Sequence, residues 1–339
     1  MIRQLDYRLH DLLPYINWLY FFHAWGMPPR FAGIAEVHQC VACRKAWVNH
    51  HEAGDRDQAV EAERLFLDAV DLLRGLDGAY SVRAVFGLFP AWSEGDDIVV
   101  SVTDQDGAEW KSPSAAMLKV DTIRLPFLRQ QGNHNPEKPF LCLSDFVAPY
   151  GYYYAQQEEC AISELKRMPH GTVLGAFASA VDPAMEQLFS DDDYRRMLLQ
   201  TLCDRLAEAA AEKMHEEVRK TYWGYAPQER FSPKDLFNER YQGKRPAVGY
   251  PSIPDQSINF LICRLVGMDK IGIQLTSNGM MQPHAAVSGL MFDHPAACHF
   301  SVGAIGADQL QDYASRRQLP VSECRRFLSR NLRKTSTEI

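Results

Sequence analysis

Residues 192–220, DDYRRMLLQTLCDRLAEAAAEKMHEEVRK, run for 29 positions without a glycine or a proline. Leu199, Leu202, Leu206, Ala210, Met214 and Val218 recur every three or four positions, which predicts one long helix with a single apolar stripe. Asp191, Asp192 and Asp193 suit its positive N-terminus, and Gly224 and Pro227 stop the chain beyond it. A rod of roughly 40 Å must bury that stripe against other elements of the same chain.

Two kinds of partner surround it in the sequence. Gln58 to Leu76 predicts a second amphipathic helix, with Ala59, Ala62, Leu65, Ala69, Leu72 and Leu73 on one face. Leu5 to Phe22 has apolar residues at helical and near-helical spacing, expected to lie against or across a core and to be broken or bent at Pro14. Shorter helices are expected at Pro233–Tyr241, Asp255–Val266, Asp308–Arg317 and Val321–Leu328. Strand candidates are Val82–Pro90, Ile98–Val102 after a Gly95-Asp96-Asp97 turn, Met117–Leu125, Thr172–Val181, Ile271–Leu275 and His299–Ile305. Helices and strands do not alternate steadily, so an α+β fold is favoured over a doubly wound parallel sheet. Arg129–Lys138 reads as a loop within one large domain spanning residues 1–339, with 331–339 as a disordered tail.

Charge and cysteine usage narrow the function classes. The formal net charge is −7 with no polybasic block, a poor match for nucleic acid. The apolar run Leu12–Trp25 is interrupted by Pro14, Asn17 and His23, so neither a membrane span nor a signal peptide is expected, and a cytoplasmic protein is. Eight scattered cysteines read as reduced thiols.

The chemistry concentrates in YWGYAP (222–227) and RPAVGYP (245–251). Pro246 and Pro251 fix the backbone while Gly249 permits close approach. Arg245 offers a fork for a carboxylate and Tyr250 a flat ring with a polar tip. Those residues suit a small ligand carrying a carboxylate and an aromatic base; they equally suit a proline-rich turn whose arginine pairs with an acid. In HQCVACRKAWVNHH (38–51), Cys40 and Cys43 have zinc-like spacing near His38, His50 and His51. A single CxxC is a weak signal, so ordinary helix residues and no metal are the expectation. The YGYYY run (150–154) reads as a packed loop or an interface, and His294 of FDHP as a turn former.

In order along the chain, LLPYINW (12–18), VFGLFPA (85–91), GDDI (95–98), LRQQ (128–131), LSDFVAP (143–149), GAFA (175–178), DRLAEAAAEKMHEEVRKTYWGYAP (204–227), YQGKRPAVGYPSIPD (241–255), AAVSGLMFDHP (285–295) and DQLQDYASRR (308–317) resemble the C-terminal activation domain of cobalamin-dependent methionine synthase. The resemblance covers about residues 6–330. It implies a single C-shaped α+β domain around a twisted antiparallel sheet flanked by helices. It also implies binding of S-adenosylmethionine and support of the reductive remethylation of cob(II)alamin to methylcobalamin. By position, Arg245 would contact the ligand carboxylate, Pro246, Ala247 and Gly249 would approach the adenosine, and Tyr250 would wall the pocket. Glu208, Asn17, His299 and Phe300 would complete the binding set, with no catalytic side chain and no metal. On the residues alone Glu208 is an exposed helix acid and Phe300 is strand core.

Three departures from the family weaken the expected grip: Asn17 replaces an aspartate, TSNGMM (276–281) has Ser277 for an acid, and His299 replaces an aromatic residue. No DxHxxG segment is present and the chain begins close to the first motif. The expectation is a stand-alone component of the methyltransferase that cannot methylate homocysteine alone. It would act in trans on a cobalamin-binding module of a separate chain, with a flavodoxin-type or other electron donor. The alternative is a diverged, non-catalytic regulatory module of a corrinoid protein. Removing Arg245 is expected to weaken binding without unfolding the chain.

Overall fold

The computed structural model describes residues 1–102, 121–132, 137–150 and 170–333. Parts of several expectations lie outside the described residues: the start of the 117–125 strand, residues 133–136 of the 129–138 loop, most of YGYYY, one of the eight cysteines, and the tail after residue 333.

The chain opens with strand β1 (Ile2–Arg8), a short helix α1 (Leu9–Leu12) and, after a 3-10 turn through Pro14, helix α2 (Trp18–Ala24). The helical stretch expected over residues 5–22 is broken at Pro14 into two helices, and its first residues are a strand instead, because Leu5–Arg8 finds strand partners that local periodicity cannot reveal. Helix α3 (Val41–His50) and the amphipathic helix α4 (Arg56–Leu76) follow. Strand β2 (Ser81–Glu94) is the spine of the sheet. It turns through Gly95-Asp96 into β3 (Asp97–Ser101), which pairs with β4 (Thr122–Pro126). β5 (Val173–Val181) leads into the long helix α5 (Asp193–Glu217), and Asp192 accepts from Arg195 N as its N-cap. After α6 (Pro233–Phe237) and α7 (Ile258–Val266) come the short pair β6 (Gln274–Leu275) and β7 (Met281–Gln282). β8 (Ala286–Met291), α8 (Ala307–Arg317) and α9 (Val321–Phe327) complete the order.

Every pairing in the main sheet is antiparallel, in the order β4-β3-β2-β5-β8, with β1 also on β2. β2 reaches this arrangement by length: its first half lies between β1 and β5, and its last four residues turn to β3. Side chains alternate between two cores. Ala84, Phe86, Leu88, Val173, Phe177 and Val181 face the helices α1, α2, α4 and α5. Val85, Phe89, Leu174, Ala176, Ala178 and Ala180 face α7. The fold is thus α+β, with an antiparallel sheet covered on both faces by helices. Among the described residues no helix is long and apolar enough to cross a membrane, and the seven described cysteines are free thiols.

Two strand expectations are corrected. Residues 299–304 form an irregular segment rather than a strand, with Val302 and Ile305 turned into a small core beneath α8 and α9. Phe300 accordingly is not strand core. Met268–Ile271 is a 3-10 turn, leaving only two residues of the 271–275 strand.

Candidate functional site

The segment after α6 is laid along the open side of β8. Lys244 and Phe292 exchange backbone hydrogen bonds at 3.0 and 2.9 Å, Leu290 N donates to Pro246 O at 3.0 Å, and Val248 N donates to Ser288 O at 2.9 Å. This seam needs glycine on the strand: a Cβ at Gly289 would stand 2.2 Å from Pro246 O and 2.8 Å from the Phe177 ring. The approach therefore fixes Arg245, Pro246 and Ala247 against the sheet, facing the flank of α5.

Between them opens a groove of about 750 Å³. Asn17, Glu208, Arg245, Pro246, Ala247, Tyr250, His299 and Phe300 all line it, so residues up to 283 positions apart in sequence are brought together. Gly249 does not line it. Its backbone is left-handed (φ +89°), Gly249 N donates to Ile253 O at 2.8 Å, and a Cβ there would lie 2.6 Å from Gln256 Nε2. Here glycine shapes the turn that presents Tyr250.

The electrostatics centre on Arg245. Its Nη2 donates to Glu212 Oε2 at 2.9 Å, and both side chains are only 11% exposed. The guanidinium lies 5.6 Å above the Phe177 ring. Nε of Arg245 and Oε1 of Glu212 are buried without a hydrogen-bond partner among the described residues. Burial opposes the charge on Arg245, but Glu212, with Tyr241 and Glu208 nearby, outweighs it and raises its pKa. The acid that the turn reading required is thus present, yet it is a buried wall of the groove. Removing Arg245 alone would leave Glu212 as a buried, unpaired carboxylate, so a loss of stability is expected beside the loss of binding.

Glu208 is half-buried and not a free helix acid: Tyr250 OH donates to its Oε1 at 3.2 Å. Glu208, then burial, pushes the Tyr250 hydroxyl up to about 12, so it stays a protonated donor at neutral pH. His299 Nε2 lies 3.0 Å from Glu239 Oε1, and Lys244 Nζ lies 3.4 Å from Glu239 Oε2. Burial raises the pKa of Glu239, but His299 and Lys244 outweigh it and hold the carboxyl below its ordinary value. Ser252 Oγ donates to Phe300 O at 2.5 Å, which fixes the irregular segment that carries His299 and Phe300. Asn17 lines the groove, although its Oδ1 is also the N-cap acceptor for Leu19 N at 3.2 Å.

Sequence reasoning missed Tyr15, Arg205, Glu212 and Glu239 among the lining residues. Three carboxylates (Glu208, Glu212, Glu239) and two arginines (Arg205, Arg245) line the groove, and Lys244 pairs with Glu239 from beside it, so acidic and basic groups stand close together and suit a ligand that carries both signs of charge. The TSNGMM segment is elsewhere: Thr276, Met280 and Met281 line a second groove of about 550 Å³ with Glu186 and His284. His294 lies outside the first groove and accepts from Ala296 N at 3.1 Å, shaping its own turn.

The sequence profile of the family described as "Vitamin B12 dependent methionine synthase, activation domain" matches residues 8–318. A solved structure described as "Crystal Structure of the MetH Reactivation Domain bound to AdoHcy" is similar over 99% of this chain and 91% of that chain, at 34% sequence identity and a TM-score of 0.77.

Proposed function

This chain belongs to the activation-domain family of vitamin B12-dependent methionine synthase, and from that membership we propose that it binds S-adenosylmethionine in the groove around Arg245. In this reading the whole chain works as one domain and as a cytoplasmic component of the methyltransferase. It supports reductive remethylation of the cobalamin carried by a separate methionine synthase chain, with an electron from a flavodoxin-type or other donor, and does not methylate homocysteine alone.

The observation that carries the reading is the Arg245–Glu212 pair. Arg245 spends only Nη2 on Glu212, and each partner keeps a buried polar atom without a mate among the described residues, so the pair has hydrogen-bonding capacity left for a zwitterion. Arg245 would take the ligand carboxylate, while Glu208, Glu212 and Asn17 would face its ammonium and sulfonium. Pro246, Ala247, Tyr250, His299 and Phe300 would hold the adenosine by backbone and ring contacts, with Gly249 fixing the turn. When bound, S-adenosylmethionine supplies the methyl group. The protein supplies proximity: it holds that group in one orientation toward a docked partner.

Calorimetry tests the binding step. Arg245→Met/Glu212→Met removes the pair without stranding a charge, so it should fold and yet bind S-adenosylmethionine at least tenfold more weakly than the parent. Equal affinity in the two proteins would refute the assignment. A second reading, a regulatory module that has lost tight binding, is favoured by one observation: Asn17 Oδ1 is already used to cap α2 and carries no charge. No heat from the parent protein at millimolar ligand would decide for it.

A further inference from the structure

A second cluster of chemically active side chains lies outside the groove and shares no residue with it. His38, Cys40 and Cys43 each offer one ligand atom, and the three atoms lie within 4.8 Å of one another. Donors held about 2.0–2.3 Å from one tetrahedral ion stand roughly 3.5–3.8 Å apart, so small side-chain rotations would close the set. The local backbone prepares it. Cys40 is the N-cap of α3, and Cys43 N donates to Cys40 Sγ at 3.4 Å. Cys40 N donates to His38 Nδ1 at 3.4 Å, which holds the imidazole against the same turn.

We propose that His38, Cys40 and Cys43 form a zinc(II) site of two thiolates and one imidazole, with the fourth position open to water. Borderline-soft zinc prefers this donor mixture, and three protein ligands with one open position is an established zinc arrangement. Binding would release the thiol protons to solvent. The other two histidines of this stretch do not take part. His51 is stacked on Phe31 with its centroid 5.3 Å away and lies 4.5 Å from Trp47, and His50 sits at the far end of α3. The adjacent Arg44 is turned to an acid, its Nε pairing with Glu63 at 2.9 Å. The ion would tie His38, which follows the 3-10 segment Pro29–Glu36, to the first turn of α3.

The test is a cobalt(II) titration of the full chain, reduced and freed of metal. One equivalent should give thiolate-to-metal charge-transfer absorption and the strong visible bands of a tetrahedral centre, and zinc(II) should displace it. His38→Ala should weaken binding tenfold or more, and Cys40→Ser/Cys43→Ser should abolish the spectrum. Both variants should keep the parent's metal-free melting temperature, because His38 and Cys40 are exposed and Cys43 is only half-buried. Only weak octahedral bands, an unchanged spectrum in the double variant, or a Cys40–Cys43 disulfide that forms in preference to metal binding would overturn the proposal.

Discussion

Replacing Glu212 by glutamine probes the groove most directly. The carboxylate and the Arg245 guanidinium are 2.9 Å apart and each is 11% exposed. Removing one member of a buried pair costs about 3–5 kcal/mol, because the other charge stays behind. The amide keeps one acceptor oxygen, so a charged–neutral hydrogen bond recovers about 1–2 kcal/mol. Glu212→Gln should therefore destabilise the protein by roughly 2–3 kcal/mol. Arg245→Met should also destabilise, for the converse reason. Combining the two removes both the stranded charge and its partner, so the double variant should recover about 2 kcal/mol relative to the sum of the singles. Urea unfolding of the four proteins measures this through the shift in midpoint at constant slope. If the singles add to within about 0.5 kcal/mol, the residues are not coupled and the electrostatic account of the groove fails.

Other substitutions test neighbouring parts of the argument. Gly289→Ala should cost about 1–3 kcal/mol and weaken ligand binding, because the new methyl meets Pro246 O and the segment bearing Arg245 must retreat; unchanged calorimetry and melting would show the seam to be slack. Asn17→Asp should tighten S-adenosylmethionine severalfold while keeping the cap on Leu19 N; an unchanged dissociation constant would mean that position 17 does not face the ligand. His215 is fully buried, and burial first, then Arg219, Arg245 and Lys244, holds its pKa well below 6.5. The unfolded chain therefore takes up a proton below pH 6.5 that the native state refuses. From this group alone, stability should fall as pH drops below that value, by up to about 1.4 kcal/mol per pH unit. His215→Phe should flatten this stretch of the melting-temperature profile, and a profile of unaltered slope would refute the attribution.

How much of this was readable in advance depended on whether the signal was local. The stripes on residues 58–76 and 192–220 delivered α4 and α5 to within three residues at each end, because helix periodicity is written in neighbours. RPAVGYP announced itself through its prolines and glycine. β8 was missed because Ser288 and Gly289 look like strand breakers; in place, Ser288 Oγ donates to Asn259 Oδ1 and Gly289 makes room for Pro246. Strand β1 was absorbed into a helix because its partners begin at Ser81. Glu212 could not be singled out from Glu208, Glu216 and Glu217 on the same helix. Only tertiary placement gives Glu212 to Arg245 and Glu208 to Tyr250, while Glu216 goes to Tyr15 and Glu217 to Tyr7. The same holds for His38, whose approach to the two thiols depends on how the chain enters α3.

The seam between Lys244–Val248 and the rim of β8 serves a second purpose. A bare outer strand is a template on which another chain can add itself. Here that row of amides and carbonyls is already engaged by the segment that bears Arg245. In the proposed reading, holding the nucleoside and keeping molecules apart therefore draw on the same few hydrogen bonds. A variant that frees this segment should lose solubility in step with affinity, and its light scattering should be quieted by saturating ligand.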